Sequence, residues 1–123
     1  MDASQIKLWL GDLAATEADY PQFWGILDPA EQQHALTIKN GKIHNRYVEV
    51  RARLRLLLGD TVNAAPQQLR IDKSEFGKPY LVNYPKLAFN LSHSADKLAI
   101  AIAYDCEIGI DIEHCKPRLS LTA

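Results

Sequence analysis

Two carboxylates near the end of the chain, Asp111 and Glu113, have the type and spacing of a metal site. If residues 107–113 form a β-strand, both carboxylates and Gly109 lie on one face, while three isoleucines anchor the other face in a core. A glycine on that face lets a ligand approach the strand backbone closely. Hard divalent cations such as Mg²⁺ prefer carboxylate oxygens. The alternative is an edge strand with a solvated acidic face. From this segment alone, that alternative is favoured.

A second polar cluster follows a short apolar run at Phe89-Asn90-Leu91-Ser92-His93-Ser94. Ser92 and His93 are adjacent, so in a strand they point to opposite faces and are poorly placed to act as nucleophile and base. A hydrolase is therefore disfavoured. Hydroxyl, imidazole and backbone N–H groups at a strand end instead suit a phosphate, and a turn capped by its own serines is an equally good interpretation.

A turn at Gly77-Lys78-Pro79 is the third feature, since its constrained backbone could present the Lys78 ammonium to a phosphate. Alone it is weak evidence, because turns with an exposed lysine are common.

Composition bounds the class of protein. The chain has 123 residues, 47% hydrophobic and 24% charged, with a net charge of −1, which indicates one folded domain and no general affinity for nucleic acid or membrane. The two cysteines, Cys106 and Cys115, flank one predicted strand and are too far apart to bridge, so free thiols are expected. The N-terminus lacks the pattern of a signal peptide. We expect a cytoplasmic, soluble protein.

Helical signals fill the first half of the chain after a predicted strand at residues 6–10. Asp28, Pro29 and Glu31 form a capping-box start for a helix expected to reach about Lys39. The next helix carries an apolar stripe and is expected to stop at Gly59. The stripe comprises Ile43, Tyr47, Val50, Leu54, Leu57 and Leu58. Most of its basic residues are predicted to lie on a solvated face, with Arg46 and Arg51 near the border as candidates for an anion contact.

Short β segments follow at residues 69–73, 80–82, 87–91, 98–104 and 107–113. The last two are predicted to form a tight antiparallel hairpin. Helices followed by strands indicate an α+β fold, with an antiparallel sheet packed against the long helix.

Taken together, these blocks resemble the 4′-phosphopantetheinyl transferases of the Sfp type. The resemblance runs from Asp28-Pro29 to Lys116-Pro117 and depends on the order and spacing of three blocks. These are Gly77-Lys78-Pro79, Phe89-Asn90-Leu91-Ser92-His93-Ser94 and Gly109-Ile110-Asp111-Ile112-Glu113, with Arg46 preceding them.

The resemblance implies transfer of the 4′-phosphopantetheine group from coenzyme A to a serine of an acyl- or peptidyl-carrier protein, with Mg²⁺ or Mn²⁺. Asp111 and Glu113 would bind the metal. The implied coenzyme A contacts are Arg46, Gly77, Lys78, Pro79, Ser92 and His93. Among them, Gly77 and Pro79 would line the adenine and His93 would meet the 3′-phosphate.

The resemblance also implies that residues 1–123 are the N-terminal subdomain of a pseudo-dimer, with the C-terminal subdomain absent. That second half would carry a further metal ligand, the general base and a Lys-Glu motif, so no catalytic residue is expected here. Family members often carry basic residues after the Pro29 position, where this chain has Glu31-Gln32-Gln33-His34. A trimeric, half-length synthase type has its metal strand near the N-terminus, unlike this chain.

Three interpretations stay open on the sequence. The chain supplies half of a coenzyme A and metal site; it is a non-catalytic fragment that binds coenzyme A weakly and self-associates; or a complementing C-terminal half restores an enzyme. An apolar face left without its second half predicts a homo-oligomer.

Overall fold

The chain forms an α+β fold, which confirms the predicted fold class. The structure, a computed structural model, describes residues 6–13, 17–73, 75, 77, 79–84, 86–94 and 96–104. Its elements are β1 (Ile6–Asp12), α1 (Tyr20–Ile26), α2 (Pro29–Leu36), α3 (Gly41–Val62), a 3₁₀ turn (Pro66–Gln68), β2 (Ile71–Lys73), β3 (Pro79–Leu81), β4 (Leu87–Ser94) and β5 (Lys97–Tyr104). They divide into a helical unit, Leu13–Leu69, and a strand unit that combines β1 with the chain from Arg70 onward.

The start of α2 confirms the predicted capping box. The Asp28 Oδ1 accepts a hydrogen bond from the Glu31 N–H at 2.8 Å, and the Glu31 Oε1 accepts one from the Asp28 N–H at 3.1 Å. The helix ends at Leu36, three residues before the predicted end. It ends early because the N–H groups of Thr37 and Ile38 donate to carbonyls three residues back, which tightens the last turn.

The long helix α3 passes through Gly59 and ends at Val62, so the predicted stop at Gly59 is wrong. The left-handed cap is Asn63, with φ of 59°. Gly59 has a different role, since a Cβ there would lie 2.7 Å from the Ala64 carbonyl oxygen. The glycine therefore lets the departing chain pass close to the helix.

The core of the helical unit lies between the three helices. Buried Ile26, Leu27, Ala35, Val48 and Ala52 form its centre, and aromatic side chains of α1 together with Tyr47 pack against it. The Tyr47 ring also contacts the His34 ring, with 4.8 Å between centroids. The predicted stripe is only partly correct, because Ile43 is 58% exposed.

Arg55 is an exception to the prediction that most basic residues of α3 lie on a solvated face. Its side chain is fully buried. The guanidinium donates to Glu31 at 2.5 Å and Asp28 at 2.8 Å, and to the carbonyls of Pro66 and Leu69 at 2.9 and 2.7 Å. Helical spacing placed this residue off the apolar stripe, but two carboxylates and two carbonyls replace its hydration.

Arg51 and Arg46, the two predicted anion contacts on α3, are both partly exposed. Arg51 does contact an anion, but that anion is a side chain of the protein itself. The Arg51 Nε donates a hydrogen bond to the second Glu31 carboxylate oxygen at 2.8 Å. Glu31 therefore binds two guanidinium groups.

The strand unit contains a three-stranded antiparallel sheet in the order β1-β5-β4. The predicted strands 6–10, 87–91 and 98–104 are confirmed, with β1 and β4 longer than expected. In β5, Leu98, Ile100 and Ile102 alternate as buried residues. The predicted hairpin partner of β5, residues 107–113, lies outside the described residues. The structure gives β5 the neighbours β1 and β4, which cover both of its edges.

A second, two-stranded antiparallel sheet joins β2 to β3, and it too belongs to the strand unit. The Asn83 side chain accepts a hydrogen bond from the Arg70 N–H at 3.2 Å, and the Val82 N–H donates to the Arg70 carbonyl at 2.8 Å. These bonds extend the pairing beyond the strand ends. None of the helices in the described ranges is long and apolar enough to cross a membrane.

Replacing Arg55 by methionine should destabilise the chain by about 3–5 kcal/mol, because two carboxylates would lose their buried partner. Urea unfolding of the full chain at neutral pH measures the loss. Lys42→Met is the matched control: Lys42 is exposed on the same helix, and its substitution should change stability by no more than about 0.5 kcal/mol. Equal effects of the two substitutions would contradict the role given to Arg55.

Burial raises the pKa of the Tyr47 phenol, while nearby Arg51 opposes the shift and Glu31 adds to it. A pKa raised in the folded state means that the protonated phenol stabilises the fold and that this stability is lost as pH rises above about 10. Tyr47→Phe keeps the ring and removes the ionisation. Its stability should therefore fall less than that of the wild type between about pH 8 and pH 11, measured by urea unfolding. Parallel declines would argue against this linkage.

Candidate functional site

A cavity of about 470 Å³ lies in the strand unit, at the end of the three-stranded sheet. Its lining comes equally from three strands: residues 10–12 of β1, 92–94 of β4 and 97–99 of β5. The volume is within the usual range for small-molecule sites. Five of the nine lining residues carry polar or charged side chains, so the cavity suits a polar ligand.

Two of the predicted coenzyme A contacts, Ser92 and His93, lie in this cavity. Ser92 pairs with Ala99 and His93 with Leu98, so the two side chains leave β4 on opposite faces of the sheet. This confirms that they cannot act on each other as nucleophile and base. Both residues are exposed, so both are available to a ligand.

The cavity also contains an ion pair that the sequence did not predict. The Lys97 ammonium donates a hydrogen bond to the Asp12 carboxylate, and the two residues pair across β5 and β1. That hydrogen bond, together with the negative charge of Asp12, raises the pKa of Lys97. Lys97 is therefore a cation at every pH at which the protein would work.

The signal for this pair was weak. Lys97 directly precedes the predicted strand 98–104, and the alternation of residues 6–10 gives no reason to extend β1 to Asp12. Pairing of β1 with β5 joins residues 85 positions apart, which no local pattern reveals.

Gly11 forms part of the cavity wall, and the Trp9 ring lies over it. A Cβ at Gly11 would come within 2.7 Å of the Trp9 Cζ2 atom. The indole occupies the space that a side chain at Gly11 would take, so a larger residue there would require the Trp9 ring to move.

The turn predicted to contact coenzyme A is described only in part. Gly77 has φ of 80°, and no atom of the described residues lies within 4 Å of a Cβ built there, so glycine is favoured by the backbone conformation and not by crowding. Pro79 is half-buried and opens β3 opposite Lys73. Neither residue lines the cavity, and Lys78 lies outside the described residues.

Arg46 belongs to the helical unit, where it is partly exposed on α3. Burial, Glu49 and Asp19 raise the pKa of Tyr20 on α1, and Arg46 opposes that rise. Arg46 is thus electrostatically engaged within its own unit.

The two predicted metal ligands, Asp111 and Glu113, lie outside the described residues. Within the part of the chain that the structure describes, no group of three or more His, Cys, Asp or Glu residues could hold a metal ion.

Several curated proteins are similar to this chain, although no protein-family model matches it. The 4′-phosphopantetheinyl transferase HetI of a Nostoc species is 30% identical over 97% of this chain and 52% of its own length. AcpT of Escherichia coli is 41% identical over 52% of this chain, and Sfp of Bacillus subtilis is 40% identical over 51%. Both are 4′-phosphopantetheinyl transferases, and the chain spans about half or less of each relative.

A solved structure shares the fold. A holo-(acyl-carrier-protein) synthase of Bacillus anthracis in complex with coenzyme A matches 85% of this chain and 97% of its own, with a TM-score of 0.64 at 17% identity. The chain thus matches nearly all of that synthase chain in fold, but only about half the length of HetI in sequence. By its sequence relatives and its fold, this chain belongs to the 4′-phosphopantetheinyl transferases of the Sfp type and spans about half the length of the curated relatives it matches.

Proposed function

We propose that this chain is the N-terminal subdomain of a 4′-phosphopantetheinyl transferase and supplies half of its coenzyme A and metal site. The observation that carries the proposal is the position of Ser92 and His93 in one cavity of ligand size. These two residues belong to the block in which the family resemblance expects phosphate contacts. The transferase relatives support the same assignment.

In the proposed site, this chain binds the phosphate groups of an anionic substrate. The Ser92 hydroxyl donates to a phosphate oxygen, and the His93 imidazole meets the 3′-phosphate. Lys78 adds positive charge, and Gly77 with Pro79 borders the adenine. Hydrogen bonds to ionised groups are about twice as strong as neutral ones, so a few such contacts can orient the pyrophosphate.

The proposed reaction is a phosphoryl transfer to a serine of a carrier protein. The serine oxygen forms a bond to the phosphorus that bears the pantetheine arm, and the bond from that phosphorus to the leaving adenosine 3′,5′-bisphosphate breaks. The serine proton passes to a base outside this chain. Such reactions depend mainly on positioning and charge neutralisation, which the residues named here provide.

The donor set of Asp111 and Glu113 suits a hard cation, because both offer carboxylate oxygens two residues apart. When bound, Mg²⁺ or Mn²⁺ would neutralise charge on the pyrophosphate. The carrier protein, acyl or peptidyl, and the second half of the site are the proposed partners. That half would be a complementing C-terminal chain or a second copy of this one.

The proposal predicts that the chain alone binds coenzyme A but does not transfer its arm. Titration with coenzyme A should show binding by the wild type and at least about tenfold weaker binding by His93→Gln, since losing one charge-assisted hydrogen bond costs about 1.5–3 kcal/mol. His34→Gln is the matched control, because the His34 ring packs against the Tyr47 ring in the helical unit, outside the cavity. Incubation with an apo carrier protein, coenzyme A and Mg²⁺ should leave the carrier's intact mass unchanged.

Two results would change this assignment. A mass gain of one phosphopantetheine group that Asp111→Ala abolishes would show that the chain is a transferase without a separate second half. Absence of coenzyme A binding would support the other interpretation of the sequence, a non-catalytic fragment that self-associates. Size-exclusion chromatography over a range of concentrations then tests that association.

A further inference from the structure

We propose that Lys97 is an additional phosphate contact of the cavity and that Asp12 is a built-in competitor for its ammonium group. This inference rests on the proposed function, since it assumes that the cavity receives the phosphates of coenzyme A or of a related nucleotide. Binding would exchange the Asp12 carboxylate for a phosphate oxygen. Asp12 would then set how tightly the cavity holds its ligand.

The strand register places Lys97 on the same face as Ser92, one of the predicted phosphate contacts. Asp12, Lys97 and Ser94 form one row across the three strands, and Leu10, Ala99 and Ser92 form the next row on the same face. Residues two positions apart on a strand are about 7 Å apart, which the flexible four-carbon stem of a lysine can span. The Lys97 ammonium can thus reach a phosphate held at Ser92 without a change in the sheet.

The existing partner of Lys97 is easily displaced. The side chains of Lys97 and Asp12 are 76% and 62% exposed, so water screens their attraction and the pair is weak. A phosphate group carries up to two negative charges, whereas Asp12 carries one. Lys97 should therefore exchange its partner when a phosphate enters, and the freed Asp12 carboxylate would repel that phosphate.

The two residues consequently have opposite effects on binding. Removing the Lys97 charge takes away a contact, whereas removing the Asp12 charge takes away a competitor and a source of repulsion. An ion pair that served only to join β1 to β5 would behave differently, since losing either partner would remove the same interaction. The signs of the two substitutions therefore separate a ligand-binding role from a structural one.

The test is a titration of the full chain with adenosine 3′,5′-bisphosphate and with coenzyme A, followed by calorimetry or amide chemical shifts. Lys97→Met should weaken binding about two- to fivefold, and Asp12→Asn should strengthen it by a similar factor, the range of an exposed charge interaction. Asp12→Asn should strengthen binding less when combined with Lys97→Met. Lys97→Arg should retain the affinity, and added salt should reduce all of these differences.

Lys7→Met is the matched control, because Lys7 is an exposed lysine on β1 five residues, or roughly 17 Å, from Asp12. It should bind both ligands as the wild type does, apart from a small general effect of charge. An equal loss of affinity in Lys7→Met and Lys97→Met would show that only the net charge of the chain matters, and it would overturn the inference.

Other outcomes are equally decisive. If Asp12→Asn and Lys97→Met both weaken binding, the pair is structural. If both bind as the wild type does while His93→Gln binds more weakly, the proposed function stands and this inference fails. If the wild type binds neither ligand, both fail together.

Discussion

The helical unit depends on one buried cation. Arg55 has lost its hydration completely, and an unpaired guanidinium in that position would cost far more than one helix packing contact contributes. It is tolerated because Glu31, Asp28 and the carbonyls of Pro66 and Leu69 accept its hydrogen bonds. These acceptors fix the start of α2 and the turn after α3 against the middle of α3. In the described residues, no buried side-chain nitrogen or oxygen is left without a partner.

The same network explains a departure from the family pattern. The resemblance to the Sfp type leads us to expect basic residues just after Pro29, and this chain has Glu31 there. The Glu31 carboxylate is buried, caps α2 and binds both Arg51 and Arg55. A lysine at that position would face two guanidinium groups and would leave the Asp28 N–H without its capping oxygen. The acidic residue is thus required by the fold of this chain, whatever the ligand.

The sequence predicted what depends on neighbouring residues and missed what depends on distant ones. The capping box at Asp28 and the strands predicted at residues 87–91 and 98–104 follow local rules, and they are confirmed. The burial of Arg55 was not predicted, because helical spacing shows the direction of a side chain but not the groups that surround it. Gly59 was predicted to end the helix, because a glycine late in a helix usually does so. Its role is instead to let the backbone at Ala64 pass close to the helix. The Asp12–Lys97 pair depends on pairing between the first and last described strands, which only the tertiary fold provides.

The geometry of the sheet end limits the kind of ligand that the cavity can serve. Ser92 and His93 leave β4 on opposite faces, so one small anion cannot meet both side chains in the same way. A ligand with two separate anionic groups can place one group on each face and wrap around the end of the sheet. Coenzyme A has that form, with its pyrophosphate and its 3′-phosphate on different positions of the ribose. Neighbouring side chains on a strand point to opposite faces. This geometry excludes Ser92 and His93 as a nucleophile and base, and it suits them to a ligand that carries two separate phosphate groups.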